Sequence, residues 1–336
     1  MRALVTGANG FVGQHLVRAL AARGDEVVAL DLSPWRGGDL ANVRSVAADV
    51  RDADAVARAV AGADVVFHAA SRIQTRTTGA DEVFDVNVRG TRNLMTACRA
   101  NGVSRFVYVS SASVVYDGRD VENGEESLPY PSRFHAPYAK TKAQAEEEVL
   151  AANDASLATV ALRPHIIFGP GDTLFFPAIV SRAKSGRLRA YVGDATKKSD
   201  FTYVGNVVDG LIAAGDALEP GGKLAGQAYF ITNGEPLPFW EFVGRMLDGL
   251  GMPRPRWRVP FPIAYGAAAM REALDAMRGI ATTEESLTRF TIRYFTTHHY
   301  FSIAKAARDF GYEPRVSIDE GIARTVAAWK AAHGGA

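Results

Sequence analysis

The first half of the chain alternates short apolar runs, rich in β-branched residues, with amphipathic stretches of helical spacing. The apolar runs predict strands and the amphipathic stretches predict helices. The predicted strands are Ala3–Thr6, Glu26–Leu30, Val43–Ala47, Asp64–His68, Arg105–Ser110 and Ala158–Leu162, and the predicted helices are Phe11–Arg23, Ala53–Val60, Asp81–Ala100 and Pro137–Ala152. This alternation predicts an α/β fold with a doubly wound parallel sheet and right-handed helical crossovers.

The pattern loosens after Ile167, where Gly169-Pro170-Gly171 interrupts the chain and later elements come with clusters of Pro and Gly. We therefore predict a Rossmann-like domain over residues 1–167 and mainly a smaller, C-terminal, substrate-binding cap over residues 168–336. Residues 201–215 are expected to return to the first domain. The length of 336 residues fits two domains of ordinary size.

A glycine-rich turn follows the first predicted strand and opens the first predicted helix. It reads Thr6-Gly7-Ala8-Asn9-Gly10-Phe11-Val12-Gly13. Glycine allows the backbone to come close to a phosphate group, and the free N–H groups at the start of a helix favour an anion. In this position the turn predicts a dinucleotide site. The residues of this turn that are expected to bind the cofactor are Gly7, Asn9, Gly10, Phe11, Val12 and Gly13.

The acidic residue at the end of the second predicted strand indicates which dinucleotide binds. Asp31 lies 18 residues beyond Gly13, where a carboxylate accepts hydrogen bonds from the adenosine ribose and repels a 2′-phosphate. We therefore predict NAD as the cofactor, with NADP as the alternative because Arg36 is close by. Asp49 and Val50, after the third strand, are expected to flank the adenine, although a helix cap explains Asp49 equally well.

A tyrosine and a lysine one helical turn apart supply candidate acid–base chemistry. Tyr138 and Lys142 share one face of a predicted helix. A phenol has a pKa of about 10, and a nearby ammonium group favours the phenolate and brings that pKa towards neutral pH. Ser111 follows the carboxyl end of a strand, where ligands bind in open α/β sheets, and its hydroxyl can hold the reacting oxygen. Ser110 and Ser113 are the alternatives, for which local capping is the other explanation.

These motifs, with three further segments in the same order, resemble the extended short-chain dehydrogenase/reductase family. The further segments are Ala47–Asp52, His68–Ser71 and Asn87–Thr91, and the resemblance runs from residue 1 to about residue 329. It implies that Ser111, Tyr138 and Lys142 form a catalytic triad and that Lys142 also binds the nicotinamide ribose. It implies that Asn87 helps to shape the site. The other residues that it places at the cofactor are His68, Ala69, Ala70, Ser71, Pro164, Ile166 and Ile167.

Two more segments, Leu162–Asp172 and Phe301–Pro314, are similar to the 3β-hydroxysteroid dehydrogenase branch of that family. The branch includes sterol-4α-carboxylate 3-dehydrogenases and bacterial 2-alkyl-3-oxoalkanoate reductases, and Ala151–Pro164 and Tyr229–Pro236 look particularly like the latter. The resemblance implies an enzyme that interconverts a secondary alcohol and a ketone on a bulky apolar substrate. A 3β-hydroxysteroid, with or without a 4-carboxylate, and a 2-alkyl-3-oxo acid are both candidates.

The alternatives are a nucleotide-sugar 4-epimerase on the same fold and a nucleotide-sensing protein without turnover. Pro164-His165 stands where such epimerases usually carry asparagine, which disfavours the first. Aromatic residues also crowd the second half of the chain, which favours an apolar ligand over a sugar diphosphate. The intact set of Ser111, Tyr138 and Lys142 disfavours a sensor, which needs no acid or base.

The composition excludes other classes of protein. The chain has 38 Lys and Arg against 37 Asp and Glu, and a net charge of +1 argues against binding nucleic acid or an acidic membrane through charge. No apolar run is long enough to span a bilayer and no signal peptide is evident, so we expect a cytoplasmic protein. The apolar segment 259–270 is interpreted as a pocket wall rather than a peripheral membrane contact. A homodimer through Asp81–Ala100 and Pro137–Ala152 is the family expectation.

Cysteine and histidine predict no metal site. The single cysteine, Cys98, excludes an internal disulfide and a cysteine-built metal site, and its place in a helical stretch predicts a buried thiol. His298 and His299 are adjacent rather than one helical turn apart, and no acidic residue has ligand spacing to them. His165 is expected to be structural.

Overall fold

The computed structural model describes residues 1–73, 80–278 and 288–334. The strands are β1 Arg2–Thr6, β2 Glu26–Asp31, β3 Val43–Ala47, β4 Val65–His68, β5 Arg105–Val109, β6 Val121–Gly124, β7 Ala158–Pro164, β8 Ile167–Phe168, β9 Ala190–Val192, β10 Lys198–Ser199, β11 Thr202–Tyr203, β12 Gln227–Ile231, β13 Leu237–Pro238, β14 Trp257–Val259 and β15 His299–Phe301. The α-helices are α1 Phe11–Ala22, α2 Ala53–Val60, α3 Ala80–Phe84, α4 Gly90–Ala100, α5 Pro137–Ala151, α6 Phe175–Lys184, α7 Val204–Ala217, α8 Phe239–Gly249, α9 Phe261–Met277, α10 Arg289–Phe295, α11 Ala304–Phe310 and α12 Ile318–His333. A π-helical turn, Asp85–Arg89, joins α3 to α4, and a 3₁₀ turn, Ala112–Val115, follows β5.

Within these ranges seven parallel strands form one sheet in the order β12-β7-β5-β4-β1-β2-β3. Successive side chains point to opposite faces, so Val5 and Phe67 pack towards α1 and α7, whereas Leu4 and Val66 pack towards α2 and α4. Both faces are therefore apolar and covered by helices. The predicted doubly wound parallel sheet is confirmed. Its strand order reverses beside β1, so a crevice opens at the carboxyl ends of β1 and β4.

The predicted helix Asp81–Ala100 is not one regular α-helix. The π-helical turn Asp85–Arg89 lies inside it, and α4 continues on the far side. The wider turn allows the Asn87 side chain to leave the helix and bond residues of a neighbouring loop. The thiol of Cys98, on α4, is fully buried as predicted.

The chain after Ile167 contributes one strand to this sheet and helices to the apolar core beside it. β12 pairs with β7 and forms one edge of the sheet. α7, which overlaps the stretch 201–215, packs in the same apolar core as α1. Other elements of the second half, among them α6, α8 and α12, enclose a core of their own around Phe168, Phe201 and Phe242. The boundary at residue 167 stays a prediction, as does the dimer.

Most of the aromatic residues in the second half belong to that core. Phe176 and Phe239 are buried in it, whereas Phe175 also reaches the cleft described below. The aromatic residues therefore say less about the ligand than their number suggests.

The segment 259–270 is only partly a pocket wall. Pro260, Phe261 and Pro262 line a second cavity of about 490 Å³. Ile263 and Met270, on α9, are 64% and 68% exposed, so the pocket interpretation is wrong for this face of the helix. No helix in the described ranges has both the length and the apolar character needed to cross a bilayer.

Candidate active site

The glycine-rich turn joins β1 to α1 at the carboxyl edge of the sheet. Gly7 has a left-handed φ of 68°, and a Cβ on it would lie 2.7 Å from the Ala70 Cα. The Gly10 N–H donates to the Gly7 carbonyl oxygen at 2.9 Å, and a Cβ on Gly13 would overlap that same oxygen. The first turn of α1 carries no acidic residue, so its free N–H groups can donate to a pyrophosphate. The turn therefore fits the predicted dinucleotide.

Replacing Gly13 by alanine tests whether the glycine-rich turn binds the cofactor. We expect the added methyl group to push α1 away from the turn, lowering the free energy of unfolding by about 1–3 kcal/mol. We also expect weaker NAD binding, by roughly tenfold or more, which corresponds to about 1.4 kcal/mol. Urea unfolding and NAD titration measure the two effects. Gly266→Ala is the control because a Cβ there meets no atom within 4 Å. Unchanged NAD affinity in Gly13→Ala would contradict the role of the turn.

Asp31 ends β2 beside the glycine-rich turn and lines the cleft. Its carboxylate accepts hydrogen bonds from the N–H groups of Asn9 at 2.9 Å and Leu32 at 2.8 Å, which fix its position. Asn9 itself does not line the cleft. Its amide donates to the Pro34 carbonyl oxygen, and its side-chain oxygen accepts from the Arg36 N–H, so it organises the loop after β2. Arg36 is exposed and also lies outside the cleft wall.

Asp49 and Val50 line the same end of the cleft. Hydrogen bonds from the Arg51 guanidinium lower the pKa of the Asp49 carboxyl. The cap of α2 is Asp52, which accepts from the Ala55 N–H at 3.0 Å. The helix-cap explanation of Asp49 is therefore wrong, and Arg51 is a basic cleft residue that the sequence did not single out.

Tyr138 and Ser111 meet at the carboxyl end of β5. Pro137 begins α5 and places Tyr138 in its first turn, while Ser111 caps the 3₁₀ turn that follows the strand. The Tyr138 hydroxyl is hydrogen-bonded to those of Ser111 and Ser71. Burial raises the pKa of Tyr138 to about 12, and these two hydrogen bonds oppose the rise. The phenol therefore holds its proton at neutral pH and is set up to donate it.

The two alternative serines have different surroundings. The Ser113 hydroxyl donates to Ser111 Oγ at 2.9 Å and so supports it. Ser110 lines the cleft, and its Oγ is buried without a hydrogen-bond partner among the described residues. An unpartnered hydroxyl in the cleft wall fits a polar ligand, since buried polar groups are normally bonded.

Lys142 lies one turn further along α5, and the residue is 2% exposed. Its ammonium group donates to the Val109 carbonyl oxygen and lies 4.1 Å from the centre of the Tyr108 ring. Burial lowers the pKa of Lys142 to about 7, and the charge of Glu146 opposes this. Lys142 is not among the described groups that shift the pKa of Tyr138, so the predicted effect of its charge on that phenol stays a prediction.

Asn87 lies behind the cleft wall rather than in it. Its side-chain oxygen accepts from the Ser71 hydroxyl at 3.1 Å and from the Arg72 N–H at 2.8 Å. Its amide donates to the Thr141 hydroxyl at 3.0 Å. Asn87 therefore fixes Ser71, which in turn bonds the Tyr138 hydroxyl.

His68 is fully buried at the end of β4, so the prediction that it lines the cleft is wrong. The Thr91 hydroxyl donates to the Asn87 carbonyl oxygen, hence it accepts from His68 Nε2–H at 2.9 Å. His68 Nδ1 then accepts from the Thr6 hydroxyl at 2.7 Å. Burial, and after it the charge of Lys142, lowers the pKa of His68 to about 3, so the ring is neutral. It ties β4 to the start of α4.

The cleft as a whole runs from the glycine-rich turn to Tyr138 and has a volume of about 770 Å³. The predicted residues that line it are Gly7, Gly10, Phe11, Val12, Gly13, Asp31, Asp49, Val50, Ala69, Ala70, Ser71, Ser111, Tyr138, Lys142, Pro164, Ile166 and Ile167. The residues that the sequence did not single out are Leu30, Leu32, Ala48, Arg51, Arg72, Ile73, Glu82, Val86, Val109, Asp172, Thr173, Leu174 and Phe175. A signal existed for Asp172, because an acidic residue directly after Gly-Pro-Gly is typical of a helix cap. Its carboxylate accepts from three N–H groups at the start of α6.

Ile166 shows strain at the wall of the cleft. Its φ is 27°, in the left-handed region that β-branched residues avoid. Such outliers concentrate at functional sites, where the surrounding structure holds them. The strain accompanies the turn that brings Pro164 and Ile167 to the cleft on either side.

A surface cluster bears on the prediction that the protein holds no metal. Asp120, Glu122 and His298 lie together although about 180 residues separate them in the chain, which spacing could not show. The groups already have partners: Asp120 pairs with Lys197 at 2.7 Å, and Glu122 accepts from the Tyr300 hydroxyl at 3.2 Å. The absence of a metal stays a prediction.

Comparison with known proteins places this chain in a family. The model of the 3-beta hydroxysteroid dehydrogenase/isomerase family matches residues 4–262. A 2-alkyl-3-oxoalkanoate reductase of Stenotrophomonas maltophilia (strain K279a) is 45% identical over 334 residues, which cover 98% of this chain and 99% of the relative. A decarboxylating sterol-4-alpha-carboxylate 3-dehydrogenase of Mus musculus is 37% identical over 325 residues, which cover 96% of this chain and 89% of the relative.

Solved structures share the architecture. The UDP-glucose 4-epimerase of Thermus thermophilus, in complex with NAD, has a TM-score of 0.75 to this chain and is 26% identical, covering 99% of this chain and 100% of its own. Family, relatives and fold agree with the resemblance read from the motifs. The chain belongs to the 3-beta hydroxysteroid dehydrogenase/isomerase family and is an oxidoreductase with the fold of the extended short-chain dehydrogenases/reductases.

Proposed function

We propose that the protein interconverts the ketone of a 2-alkyl-3-oxo acid and the alcohol of the corresponding 3-hydroxy acid, with NAD as its cofactor. The observation that carries the reaction type is the hydrogen-bonded group of Tyr138, Ser111 and Ser71, at one end of a cleft whose other end is a phosphate-binding turn. The substrate class is supported by the reductase that is 45% identical along nearly the whole chain. NAD is supported by Asp31 and by the related structure that holds NAD.

The residues of the site divide the chemistry among them. Bound NAD(H) supplies or accepts the hydride. In the reduction the Tyr138 hydroxyl donates its proton to the oxygen on carbon 3, and in the oxidation its phenolate takes that proton back. Ser111 bonds the same oxygen and holds it near the phenol. Lys142 stabilises the phenolate by its charge, and Asn87, through Ser71, keeps the phenol in place.

The direction of the reaction decides whether the substrate keeps its carboxylate. Oxidation of a 3-hydroxy acid gives a 3-oxo acid, which loses carbon dioxide readily. Reduction of the 3-oxo acid preserves the carboxylate for a later step. A sterol that carries a 4-carboxylate and a 3-hydroxyl has the same arrangement of groups, which explains why one branch of the family serves both classes. The apolar side chains of Ile166, Leu174 and Phe175 at the cleft suit the apolar part of either substrate.

A nucleotide-sugar epimerase is disfavoured by the charges at the second-half side of the cleft. A sugar diphosphate requires cations beyond those that bind the dinucleotide. The described residues on that side are Pro164, Ile166, Ile167, Asp172, Thr173, Leu174 and Phe175, and none of them is cationic. The epimerase relative therefore shares the fold and the cofactor cleft rather than the substrate groups.

Replacing Asp31 by asparagine tests the choice of dinucleotide. Removing this charge removes the repulsion of a 2′-phosphate, worth about 1.4–2.8 kcal/mol, so the ratio of kcat/KM for NAD to that for NADP should fall about 10- to 100-fold. Steady-state kinetics with each cofactor measure the ratio. Asp39→Asn is the matched control, since Asp39 is exposed and does not line the cleft. An unchanged ratio in Asp31→Asn would assign the preference to other residues.

The proposed function is tested by NADH and NADPH oxidation with a paired panel of substrates. The panel contains a 2-alkyl-3-oxo acid and the 3-ketone of a 4-carboxysterol, and NAD reduction is followed with the matching alcohols. UDP-glucose is incubated separately with the protein and NAD, and its products are analysed by chromatography, because epimerisation consumes no cofactor overall. We expect the highest kcat/KM with the 2-alkyl-3-oxo acid. Preferred turnover of the sterol would replace the substrate class, and interconversion of UDP-sugars alone would overturn the proposal. Cofactor binding without any turnover would favour the sensor.

A further inference from the structure

The outer side of α9 is apolar and exposed, and the proposed reaction assigns it no role. Ile263, Met270 and Met277 are 64%, 68% and 75% exposed, and Leu274 is 39% exposed. These four positions follow one another at helical spacing, so they share one side of the helix and together form the α9 face. Trp257, on β14 shortly before the helix, is 71% exposed.

The opposite side of α9 already packs against the protein. Ala268 is buried there and packs with Val192, Ile292 and Tyr265 in a small apolar core. A helix that is apolar on all sides is normally covered on all sides. The composition of α9 is therefore that of a helix covered on two sides, whereas the described part of the chain covers one.

The large apolar residues that are exposed elsewhere have a different explanation. In the described ranges they are Leu32, Ile73 and Leu174, and all three line the dinucleotide cleft. Exposed apolar patches of a soluble protein mark sites of interaction. The α9 face contributes no residue to the cleft, so it points to an interaction of its own.

Positive charge flanks the α9 face at both ends. Arg256 and Arg258 precede the helix, Arg278 follows it, and all three are exposed. None of them forms an ion pair with a described carboxylate, and the Arg258 guanidinium donates to the Gly193 carbonyl oxygen at 2.8 Å. The net charge of +1 for the whole chain therefore includes a local excess of positive charge at this helix.

The carboxylates of α9 do not cancel this charge. They belong to Glu272 and Asp275, which are partly buried and paired with Arg289 at 2.6 Å and Arg271 at 3.6 Å. An exposed apolar face, an exposed tryptophan and flanking arginines are typical of a helix that lies in the surface of an anionic membrane. There the apolar side chains enter the acyl boundary, and the arginines meet the lipid phosphates.

We propose that the α9 face docks on the surface of a membrane that contains anionic lipids, with α9 parallel to that surface. This docking is independent of the proposed reaction, because vesicle binding is measured without a substrate. A second copy of the chain is the other occupant that suits an apolar face. In the antiparallel pairing of a two-fold axis, however, Arg256 and Arg258 of one copy would meet Arg278 of the other, and like charges disfavour that contact.

The test measures the binding of the full chain to vesicles of phosphatidylcholine and phosphatidylglycerol by cosedimentation. Vesicles of phosphatidylcholine alone are the neutral comparison. We expect wild type to bind the anionic vesicles more tightly, and added salt to weaken that binding. Met270→Gln combined with Met277→Gln should weaken it about 10- to 100-fold, because two apolar side chains no longer enter the acyl boundary. Changing both methionines to leucine is the matched control and should leave binding unchanged.

The arginines are tested by a second pair of substitutions. Arg256→Gln combined with Arg258→Gln should weaken binding to the anionic vesicles about 10- to 30-fold and leave binding to the neutral vesicles within roughly threefold. Arg44→Gln combined with Arg58→Gln is the matched control, because it removes the same charge from exposed positions on β3 and α2. Thermal unfolding checks the fold of every variant.

The binding of the variants separates the outcomes. Weaker binding in the methionine and arginine variants, with both controls unchanged, supports the docking. Wild type that does not sediment with anionic vesicles, or variants that bind as tightly as wild type, would overturn it. Light scattering without vesicles tests the other occupant. A wild-type dimer that becomes a monomer in the methionine variant would make the α9 face an interface between copies, and would overturn the membrane docking as well.

Discussion

Tyr138→Phe is expected to lower kcat about 100- to 10,000-fold, which is the usual contribution of a positioned acid or base. The variant lacks only the hydroxyl that bonds Ser111 and Ser71, while its ring keeps its place in the first turn of α5. NADH affinity should therefore stay within roughly threefold of wild type, because the loss falls on the chemical step. Steady-state NADH oxidation with a 2-alkyl-3-oxo acid measures kcat, and fluorescence titration measures NADH binding.

The control for this variant is Tyr191→Phe, on β9 and outside the cleft wall. It should retain wild-type kcat, so that a loss in Tyr138→Phe reports the position of the hydroxyl rather than the removal of any phenol. If Tyr138→Phe keeps more than about a tenth of wild-type kcat, the Tyr138 hydroxyl contributes less to the rate than a general acid does. The proton donor would then have to be another group.

The largest expected loss of stability comes from the buried ion pair that fixes α5 to β7. The Glu146 carboxylate is fully buried and accepts from Arg163 Nε and Nη2, the latter at 2.6 Å. Glu146 lies one turn beyond Lys142, so the pair holds the helix that carries the proposed acid–base residues. We expect Glu146→Gln to lower the free energy of unfolding by about 3–5 kcal/mol, because it leaves the Arg163 charge buried without its counter-charge. Urea unfolding measures the change.

Three further variants show whether the loss comes from the unpaired buried charge. Adding Arg163→Met to Glu146→Gln removes both charges and should recover much of the lost stability, since an apolar replacement of a buried pair is often tolerated. Glu320→Gln breaks the exposed pair with Arg324 and should cost less than about 1 kcal/mol. Arg163→Met alone completes the comparison. A double variant whose loss equals the summed losses of Glu146→Gln and Arg163→Met would show that the two charges do not depend on each other in the fold.

The parts of the molecule that the sequence predicted well depend on local patterns. β1, the glycine-rich turn and α1 follow one another within 22 residues, so periodicity and glycine spacing were enough to place them. Tyr138 and Lys142 share a helix, which fixes their relative positions whatever the tertiary fold is. The order of strand and helix then determined the parallel sheet, because right-handed crossovers leave few alternatives.

The features of the structure that the sequence did not predict depend on tertiary contacts. The family resemblance placed His68 at the cofactor together with Ala69 and Ala70, but its side chain, on the last residue of β4, turns towards Thr6 and Thr91. The π-helical turn that releases Asn87 has no signature in hydrophobic spacing, which continues through it. In such cases the partner, rather than the residue itself, decides the role.

The same limit applies to pairs that are distant in the chain. His165 and His299 are 134 residues apart, and no spacing rule relates them. Tyr294 is one of the aromatic residues that crowd the second half of the chain, and the spacing of those residues does not show that it contacts both histidines. Prediction from one sequence therefore identified the cofactor end of the site better than the substrate end.

The hydride itself can be followed from the cofactor to the product. The protein is incubated with a 2-alkyl-3-oxo acid and NADH that carries deuterium at both positions on carbon 4 of the nicotinamide, and the product is analysed by mass spectrometry and NMR. If Tyr138, Ser111 and the dinucleotide cleft act as proposed, NADH is consumed and a single deuterium is found on carbon 3 of a 3-hydroxy acid. A product without deuterium on carbon 3, or no consumption of NADH, would contradict the proposed reduction.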